Sequence, residues 1–307
     1  MQAFEKEMER ARAAVGEDLN GLIYHPAPAV LLALLDNPAL DETKLSLLLA
    51  RKDLPTEVLE EIGVRKALLK SYAVKKALLF HPRTPRLVGL RLLKDLYLMD
   101  LVQFALSVSA PVELKRYAEE QVVARLPQLP LGQKITLARR GPARVAGALL
   151  AEGHAQVLPV VLENPFLTEA QVLRALAREK ISTAVVQALA RHRKWSQAYN
   201  VRLAIVRNPS APISIVLGFL PELTVSDLRE LAAPGIVPEN LRKYLEAEVR
   251  RRMLASQKRA ALEARPSGAP LFPQPQDEQS AKEEQRRREG ERGSHREGRP
   301  EEPDDKA

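Results

Sequence analysis

Ten basic residues fall into five pairs that stay basic across an internal duplication, and they are the residues of this chain best suited to contact a polyanion. Residues 37–122 reappear without a gap at residues 164–249. The candidate binding residues are these pairs and one tryptophan: Arg51/Arg178, Lys66/Arg193, Lys75/Arg202, Lys115/Arg242, Arg116/Lys243 and Trp195. If the pairs share one face, phosphates could run along it and binding would be salt-sensitive. The alternative is an ordinary solvated helix face.

The single tryptophan, Trp195, ends the basic run Arg191-His-Arg-Lys-Trp195. Its ring could stack on a nucleic-acid base or take a cation–π contact. Its counterpart in the first copy is Leu68. Because equivalent repeat positions usually keep their burial class, this favours a packing role between repeat units.

The duplication also assigns structural roles to residues that could otherwise do acid–base chemistry. Asp100 and Asp227 occupy the same repeat position, each before a leucine. An enzyme rarely needs its catalytic acid twice, whereas a carboxylate near a helix N-terminus is stabilised by the helix dipole. The tyrosines that occur in both copies are predicted to pack between repeat units, and their hydroxyl groups are predicted to reach a turn. These pairs are Tyr72/Tyr199 and Tyr117/Tyr244.

Motifs of other chemistry do not occur in the sequence. Without cysteine, the chain has no disulfide, thiolate metal site or cysteine nucleophile. Phosphate-loop, dinucleotide-binding, zinc-protease and nucleophile-elbow motifs are missing. His25 and His81 each precede a proline, and Asn208 replaces His81 in the second copy, which predicts a turn role rather than metal binding. We therefore expect no catalytic residue, metal or cofactor.

Proline and capping residues divide the chain into short helices. Pro82 is predicted to end one helix, Thr84 to cap the next and Pro85 to stand in its first turn. Thr168 and Thr224 begin capping-box patterns. Between such stops, leucine and valine recur at helical spacing, and aromatic residues make up only 4% of the chain. The sequence predicts an all-α fold.

A shorter period lies inside the duplication. The dipeptides Asn37-Pro38 and His81-Pro82 match Asn164-Pro165 and Asn208-Pro209, which gives a period of about 42 residues, within the range of HEAT and armadillo units. Repeats of this kind stack on their neighbours and build one continuous core. We expect a right-handed α-solenoid of about five to six units.

The repeated pattern of Asn-Pro-x-(Thr/Ala)-Pro, a leucine-rich helix, Asp-Leu, proline and a final helix resembles the HEAT-like repeat proteins of bacteria. It also has some likeness to the leucine-rich-repeat variant family. The resemblance covers about residues 20–255 and implies an α-solenoid that serves as a binding scaffold. The variant family can carry an iron–sulfur cluster on N-terminal cysteines, a feature that this cysteine-free chain does not share.

Charge and composition predict four regions. We expect an N-terminal capping helix at 1–20, a repeat array at 21–249, a basic capping helix at 250–263 and a disordered charged tail at 264–307. The tail has nine basic and eleven acidic residues, a net charge of −2, so that residues 1–263 carry +10 and the whole chain +8. It is too poor in apolar residues to offset the entropy of ordering. The first residues lack the basic and apolar runs of a signal peptide, which predicts a cytoplasmic, soluble protein without membrane contact.

The expected function follows from the repeat. We expect a non-catalytic scaffold that binds another protein across a surface made by adjacent helices. The alternative is binding of DNA or RNA through the paired basic residues. A third possibility is an enzyme similar to the HEAT-like DNA glycosylases, which use tryptophan, aspartate and a basic face.

Overall fold

The computed structural model describes residues 2–263, and within that range the chain forms α-helices and short turns without any β-strand. The predicted all-α fold is thereby confirmed. The described helices are α1 Gln2–Ala13, α2 Gly16–Ile23, α3 Pro28–Leu34, α4 Glu42–Ala50, α5 Thr56–Val64, α6 Tyr72–Phe80, α7 Arg86–Leu93, α8 Leu98–Leu106, α9 Val112–Arg125, α10 Leu131–Arg140, α11 Ala143–Glu152, α12 Leu158–Leu162, α13 Glu169–Leu176, α14 Thr183–Arg191, α15 Tyr199–Arg207, α16 Ile213–Phe219, α17 Val225–Leu231 and α18 Glu239–Glu263. Short 3₁₀ turns follow α5, α9 and α16.

The described residues divide into two compact units, one that extends to Glu246 and one that starts at Ala247. In the first unit, odd-numbered helices stack on one another in chain order from α1 to α15. Even-numbered helices form a second layer, in which α2 packs on α4, α4 on α6, α10 on α12 and α12 on α14. Consecutive helices such as α8 and α9 join the layers. This stacking, in which each helix pair contacts its neighbours, is that of an α-solenoid.

A continuous hydrophobic core lies between the two layers. Buried apolar side chains from Ala11 to Ile205 form one continuous cluster, dominated by leucine and valine. Apart from α18, each described helix has only five to fourteen residues, so most of its stability comes from this packing rather than from intrinsic helix propensity. The core therefore fixes which side chains of each helix face solvent.

The repeat unit of the sequence and the repeat unit of the stack differ. The segment from Asn37-Pro38 to His81-Pro82 contains three helices, α4, α5 and α6, whereas the layers repeat every two helices. The two copies of the duplication are nine helices apart, so that α4, α5 and α6 correspond to α13, α14 and α15. Because nine is odd, an even-layer helix of the first copy corresponds to an odd-layer helix of the second.

Two of the three predicted caps are confirmed. The Thr168 hydroxyl accepts a hydrogen bond from the Gln171 amide at the start of α13, and Thr224 does the same for Asp227 at α17. The predicted cap by Thr84 is wrong. Pro85 takes the N-cap position of α7, and the Thr84 hydroxyl instead donates back to the carbonyl oxygen of Leu78 at the end of α6.

The predicted terminal regions have different boundaries in the structure. Residues 1–20 span α1 and part of α2, and α1 already packs in the odd layer against α3. The predicted capping helix at 250–263 is the second part of α18, which begins at Glu239. The predicted disordered tail at 264–307 lies outside the described residues. Among residues 2–263, no helix has the length and apolarity needed to cross a membrane.

Candidate functional site: the surface of the odd-numbered helices

The preserved basic pairs do not share one surface. Arg51, Lys66 and Lys75 follow or lie on α4, α5 and α6, and their partners follow or lie on α13, α14 and α15. In each of these three pairs one helix belongs to the even layer and the other to the odd layer. These pairs therefore do not form one repeated basic face, because the duplication spans an odd number of helices.

Arg51 is a structural residue. Its guanidinium group donates to the carbonyl oxygens of Ile23 and His25, at 2.5 and 3.2 Å, and forms an ion pair with Asp53 at 2.8 Å. Only a tenth of the Arg51 side chain is exposed. With its donors occupied, Arg51 holds the end of α4 against the turn after α2.

The pair Lys75/Arg202 is also tied down, by the same contact in both copies. Lys75 binds Asp95 at 2.7 Å, and Arg202 binds Glu222, the residue equivalent to Asp95, at 2.9 Å. Arg202 also donates to the carbonyl oxygens of Ser196 and Gln197. Lys75 thus connects α6 to the turn between α7 and α8, and Arg202 connects α15 to the turn between α16 and α17. These contacts stabilise the stack.

The other preserved basic residues vary in exposure. Arg242 donates to the carbonyl oxygen of Ala232 and forms an ion pair with Glu239, whereas Arg116 lies 3.6 Å from Glu120. The remaining five are exposed or half-exposed, and for none of them does the structure of residues 2–263 show an ion pair: Lys66, Lys115, Arg178, Arg193 and Lys243. Of these five, Arg178 lines a cavity.

Trp195 is buried, with 3% of its surface exposed. Its indole N–H donates to the carbonyl oxygen of Leu162 at 3.1 Å, and the Lys194 ammonium lies 4.2 Å from the ring centroid. This burial contradicts stacking of Trp195 on a nucleic-acid base. It agrees with the packing role that its counterpart Leu68 indicates. The cation–π contact exists, but its cation comes from the adjacent residue.

Each duplicated tyrosine–aspartate pair forms the same hydrogen-bond motif. The Tyr72 hydroxyl donates to Asp100 and accepts from the Tyr97 amide, and Tyr199 makes the equivalent bonds to Asp227 and the Thr224 amide. Burial raises the pKa of Asp100, but hydrogen bonds from Lys76 and Tyr72 outweigh it and hold that pKa below its usual value. Both carboxylates lie in the first turn of a helix, as predicted.

The second pair of tyrosines differs from its prediction. Tyr117 on α9 is half-buried, whereas Tyr244 on α18 is 51% exposed and does not pack in the core. Tyr117 borders the neighbouring odd helix α7 and lines a cleft between α7 and α9. Only the first copy of this position is therefore a packing residue.

Histidines serve as turn residues. His25 and His81 accept hydrogen bonds through Nδ1 from the amides two residues later, Ala27 and Arg83. The buried Asn208 makes the equivalent bond through Oδ1 to the Ser210 amide, which explains why asparagine can replace His81. Within residues 2–263, no cluster of three or more histidine, aspartate or glutamate residues is arranged to hold a metal ion.

Three arginine residues converge on a cavity of about 230 Å³ between the odd-numbered helices α9, α11 and α13. We call it the arginine pocket, and its lining residues are Val123, Arg144, Gly147, Ala148, Gln171, Arg174, Ala175 and Arg178. The Arg144 guanidinium lies 2.9 Å from Glu120. Arg174 and Arg178 are exposed, and among the described residues no carboxylate forms an ion pair with either.

A second cavity, of about 370 Å³, opens between α7 and α9. We call it the apolar cleft, and its lining residues are Leu87, Leu90, Arg91, Lys94 and Tyr117. Leu87 is 73% exposed, so the cleft presents apolar surface to solvent. A third cavity beside it carries the ion pairs Arg86–Glu113 and Arg116–Glu120.

All three cavities lie along four consecutive odd-numbered helices, α7, α9, α11 and α13, whose solvent-facing side we call the odd surface. This surface offers apolar contact area at one end and, at the other, guanidinium groups that form no ion pair with any described residue. Guanidinium groups present planar N–H forks that bind carboxylate or phosphate bidentately. The described lining of the arginine pocket carries three guanidinium groups and no carboxylate side chain, so its charge suits an anion.

Sequence reasoning missed Arg144 and Arg174, because it searched for basic residues preserved in both copies. Arg174 aligns with Leu47, and Arg144 lies outside the duplicated segment. A usable signal was present in the spacing of Gln171, Arg174 and Arg178, which at three and four residues apart occupy one helix face. In a repeat protein the positions that diverge between copies are the ones free to acquire a binding role.

Comparisons with known proteins found no similar family, protein or fold. No model of a protein family matches the chain, no curated protein matches it, and no solved structure matches it.

Proposed function

We propose that the chain is a non-catalytic, HEAT-like helical-repeat protein that binds another protein along the odd surface. The observation that carries this proposal is the row of three solvent-open cavities on α7, α9, α11 and α13. Helical solenoids commonly bind partners on extended surfaces formed by successive repeats. Arginine and aromatic residues are enriched at protein interfaces, and this surface carries the exposed Arg174 and Arg178 together with Tyr117 in the apolar cleft.

The alternative, nucleic-acid binding through the paired basic residues, has less support. It draws on the net charge of +10 carried by residues 1–263. Against it, Arg51, Lys75 and Arg202 are engaged in ion pairs and backbone contacts, and three of the five pairs are divided between layers. Titration with duplex DNA and RNA at two salt concentrations tests it, because phosphate contacts make affinity fall steeply with salt.

The glycosylase-like alternative has still less support. It requires an accessible aromatic residue and an acid placed for chemistry. Trp195 is buried, and Asp100 and Asp227 are each held by a tyrosine hydroxyl in a repeated structural motif.

Co-purification of partners from the native host with two matched variants tests the proposed function. Leu87→Glu places a charge in the apolar cleft, and Met99→Glu places one on an exposed apolar side chain of the even-layer helix α8. We expect Leu87→Glu to deplete the co-purifying protein at least tenfold and Met99→Glu to leave it unchanged, with equal thermal stability of both variants. Equal recovery with both variants, or depletion by Met99→Glu alone, contradicts a binding role for the odd surface.

A further inference from the structure

We propose that the arginine pocket binds a phosphorylated side chain of a peptide segment in the partner protein. This inference rests on the proposed function, and it names the chemical class of the segment that the odd surface recognises. It is carried by the geometry of the pocket, by two arginines that form no ion pair among the described residues and by the position of the pocket relative to the apolar cleft.

The pocket is built mainly by the neighbouring odd helices α11 and α13, with Val123 contributed by α9. Gln171 and Arg174 lie on one face of α13, Arg178 follows in the turn after that helix, and Arg144 lines the pocket from α11. Gly147 lies opposite Gln171, where a Cβ atom would come within 2.8 Å of Oε1 and 3.0 Å of Cβ. Small residues in the floor thus allow the helices to approach while leaving space between the arginines.

The charge of the pocket matches a dianion. Arg144 already has an acidic neighbour on α9, Glu120, at 2.9 Å. Glu119 is also close to Arg144, but burial, the largest effect, raises the pKa of Glu119 and outweighs the opposing influence of that arginine. Among the described residues, neither Arg174 nor Arg178 forms an ion pair, so both cations are open to a ligand. A phosphate monoester carries about −2 at pH 7 and offers three acceptor oxygens, whereas a carboxylate would neutralise only one of the two.

The rest of the odd surface favours a peptide over a nucleic-acid backbone. Between α7 and α9, the arginines Arg86 and Arg116 already bind Glu113 and Glu120. These carboxylates would repel a continuous row of phosphates. The adjoining apolar cleft instead suits one apolar side chain, which a peptide can supply at a defined distance from its phosphorylated residue.

The distance between the two cavities predicts the spacing in the peptide. The arginine pocket lies between α11 and α13 and the apolar cleft between α7 and α9, two helix steps apart in the same layer. At about 8–10 Å per step the span is about 16–20 Å, which an extended chain at about 3.3 Å per residue covers in about five or six residues.

An oriented peptide library tests the proposal on the full-length chain. One library has a fixed phosphoserine flanked by random residues, and its matched library has serine at that place. We expect retention of the phosphoserine library at least tenfold above the serine library, with enrichment of an apolar residue five or six positions away. Equal retention of the two libraries, or retention of neither, overturns the proposal.

Two double variants assign the binding to the pocket. We expect Arg174→Gln/Arg178→Gln to lower retention of the phosphoserine library at least tenfold without changing thermal stability, because both side chains are exposed. The control, Arg139→Gln/Arg140→Gln, removes the same charge from exposed positions at the end of α10 in the even layer and should bind as the unaltered chain does. Equal losses with both variants would show that only net charge matters and would overturn the assignment to the pocket.

This experiment and the co-purification test separate the two proposals. If Leu87→Glu depletes the partner but phosphoserine gives no advantage, the odd surface binds protein and the phosphate specificity is wrong. If duplex DNA displaces the phosphopeptides and binds with the same dependence on Arg174 and Arg178, the pocket is a nucleic-acid contact and the proposal fails.

Discussion

At the scale of single residues, the duplicated side chains are hydrogen-bond connectors between helices. Asn37 and Asn164 are both buried. The Asn164 amide donates to the carbonyl oxygens of Ala138 and Gly141, and its Oδ1 accepts from the Phe166 amide. Asn37 makes the same three bonds at the equivalent positions near the N-terminus. Duplication of such residues preserves the stack rather than an activity.

Replacement of Asn164 by alanine should destabilise the fold strongly. Two buried carbonyl oxygens would lose their donor, and the amide of Phe166 would lose its acceptor. Each unmade buried hydrogen bond costs about 1–3 kcal/mol, so we expect the loss of all three to lower the free energy of unfolding by at least about 3 kcal/mol, measured by urea denaturation. Asn200→Ala, at an exposed asparagine that bonds to Glu169, should cost less than about 0.5 kcal/mol. Similar losses in both variants would contradict the connector role.

Acid should weaken the fold through Asp100. Its pKa lies below the usual value in the folded chain, and an unfolded aspartate titrates at about 3.9. As the pH falls below about 4, the unfolded chain takes up the proton first, and the stability that Asp100 contributes above that pH is progressively lost. Asp100→Asn should therefore have a lower Tm than the unaltered chain at pH 7, and the difference should shrink at pH 3. A difference that is the same at both pH values would exclude this linkage.

At the scale of elements, close helix contacts depend on glycine at the crossing points. Gly63 on α5 faces Val88 on α7, and a Cβ atom at Gly63 would lie 2.6 and 2.7 Å from the two Val88 methyl carbons. Valine is stiff at χ1 and cannot turn its methyl groups away cheaply. The spacing between these odd helices is thus set by the absence of a side chain.

The substitution Gly63→Ala should push α5 and α7 apart. Overpacking of this kind costs about 1–3 kcal/mol, and we expect Tm to fall accordingly in a thermal melt. The matched control is Gly218→Ala on α16, where an added Cβ meets no atom within 4 Å. Because alanine has the higher helix propensity, by up to about 1 kcal/mol, this control should leave Tm unchanged or raise it. A Gly63→Ala variant as stable as the unaltered chain would mean that α7 can shift freely.

At the scale of the whole molecule, the sequence predicted the class of fold better than the arrangement of its surfaces. Proline stops such as Pro111 and leucine spacing are local signals, so helix starts such as Val112 follow directly from them. Two helices lie in the same layer when they are an even number of helices apart in the chain, and in different layers when that number is odd. A duplication of nine helices reverses that assignment, which is why Arg51 and Arg178 have opposite environments although they occupy equivalent sequence positions.

The candidate site was predictable only in part. Arg178 was identified, but as a member of a preserved pair, whereas its role in the arginine pocket depends on Arg144 and Arg174, of which only Arg174 is close to it in sequence. Contacts between α11 and α13 bring these residues together. Periodicity within one helix could suggest Arg174 with Arg178, but the contribution of Arg144 required the stacking of the layer.

Site-specific photo-crosslinking in the native host tests most directly the claim that the odd surface is the binding surface. A photoreactive phenylalanine derivative would replace Leu87 in the apolar cleft or, as the control, Met99 on the even-layer helix α8, both of which are exposed. We predict one dominant crosslinked protein from position 87, lost when Arg174 and Arg178 are changed to glutamine, and no such product from position 99. The same crosslinked protein from both positions, or from position 99 alone, would contradict it.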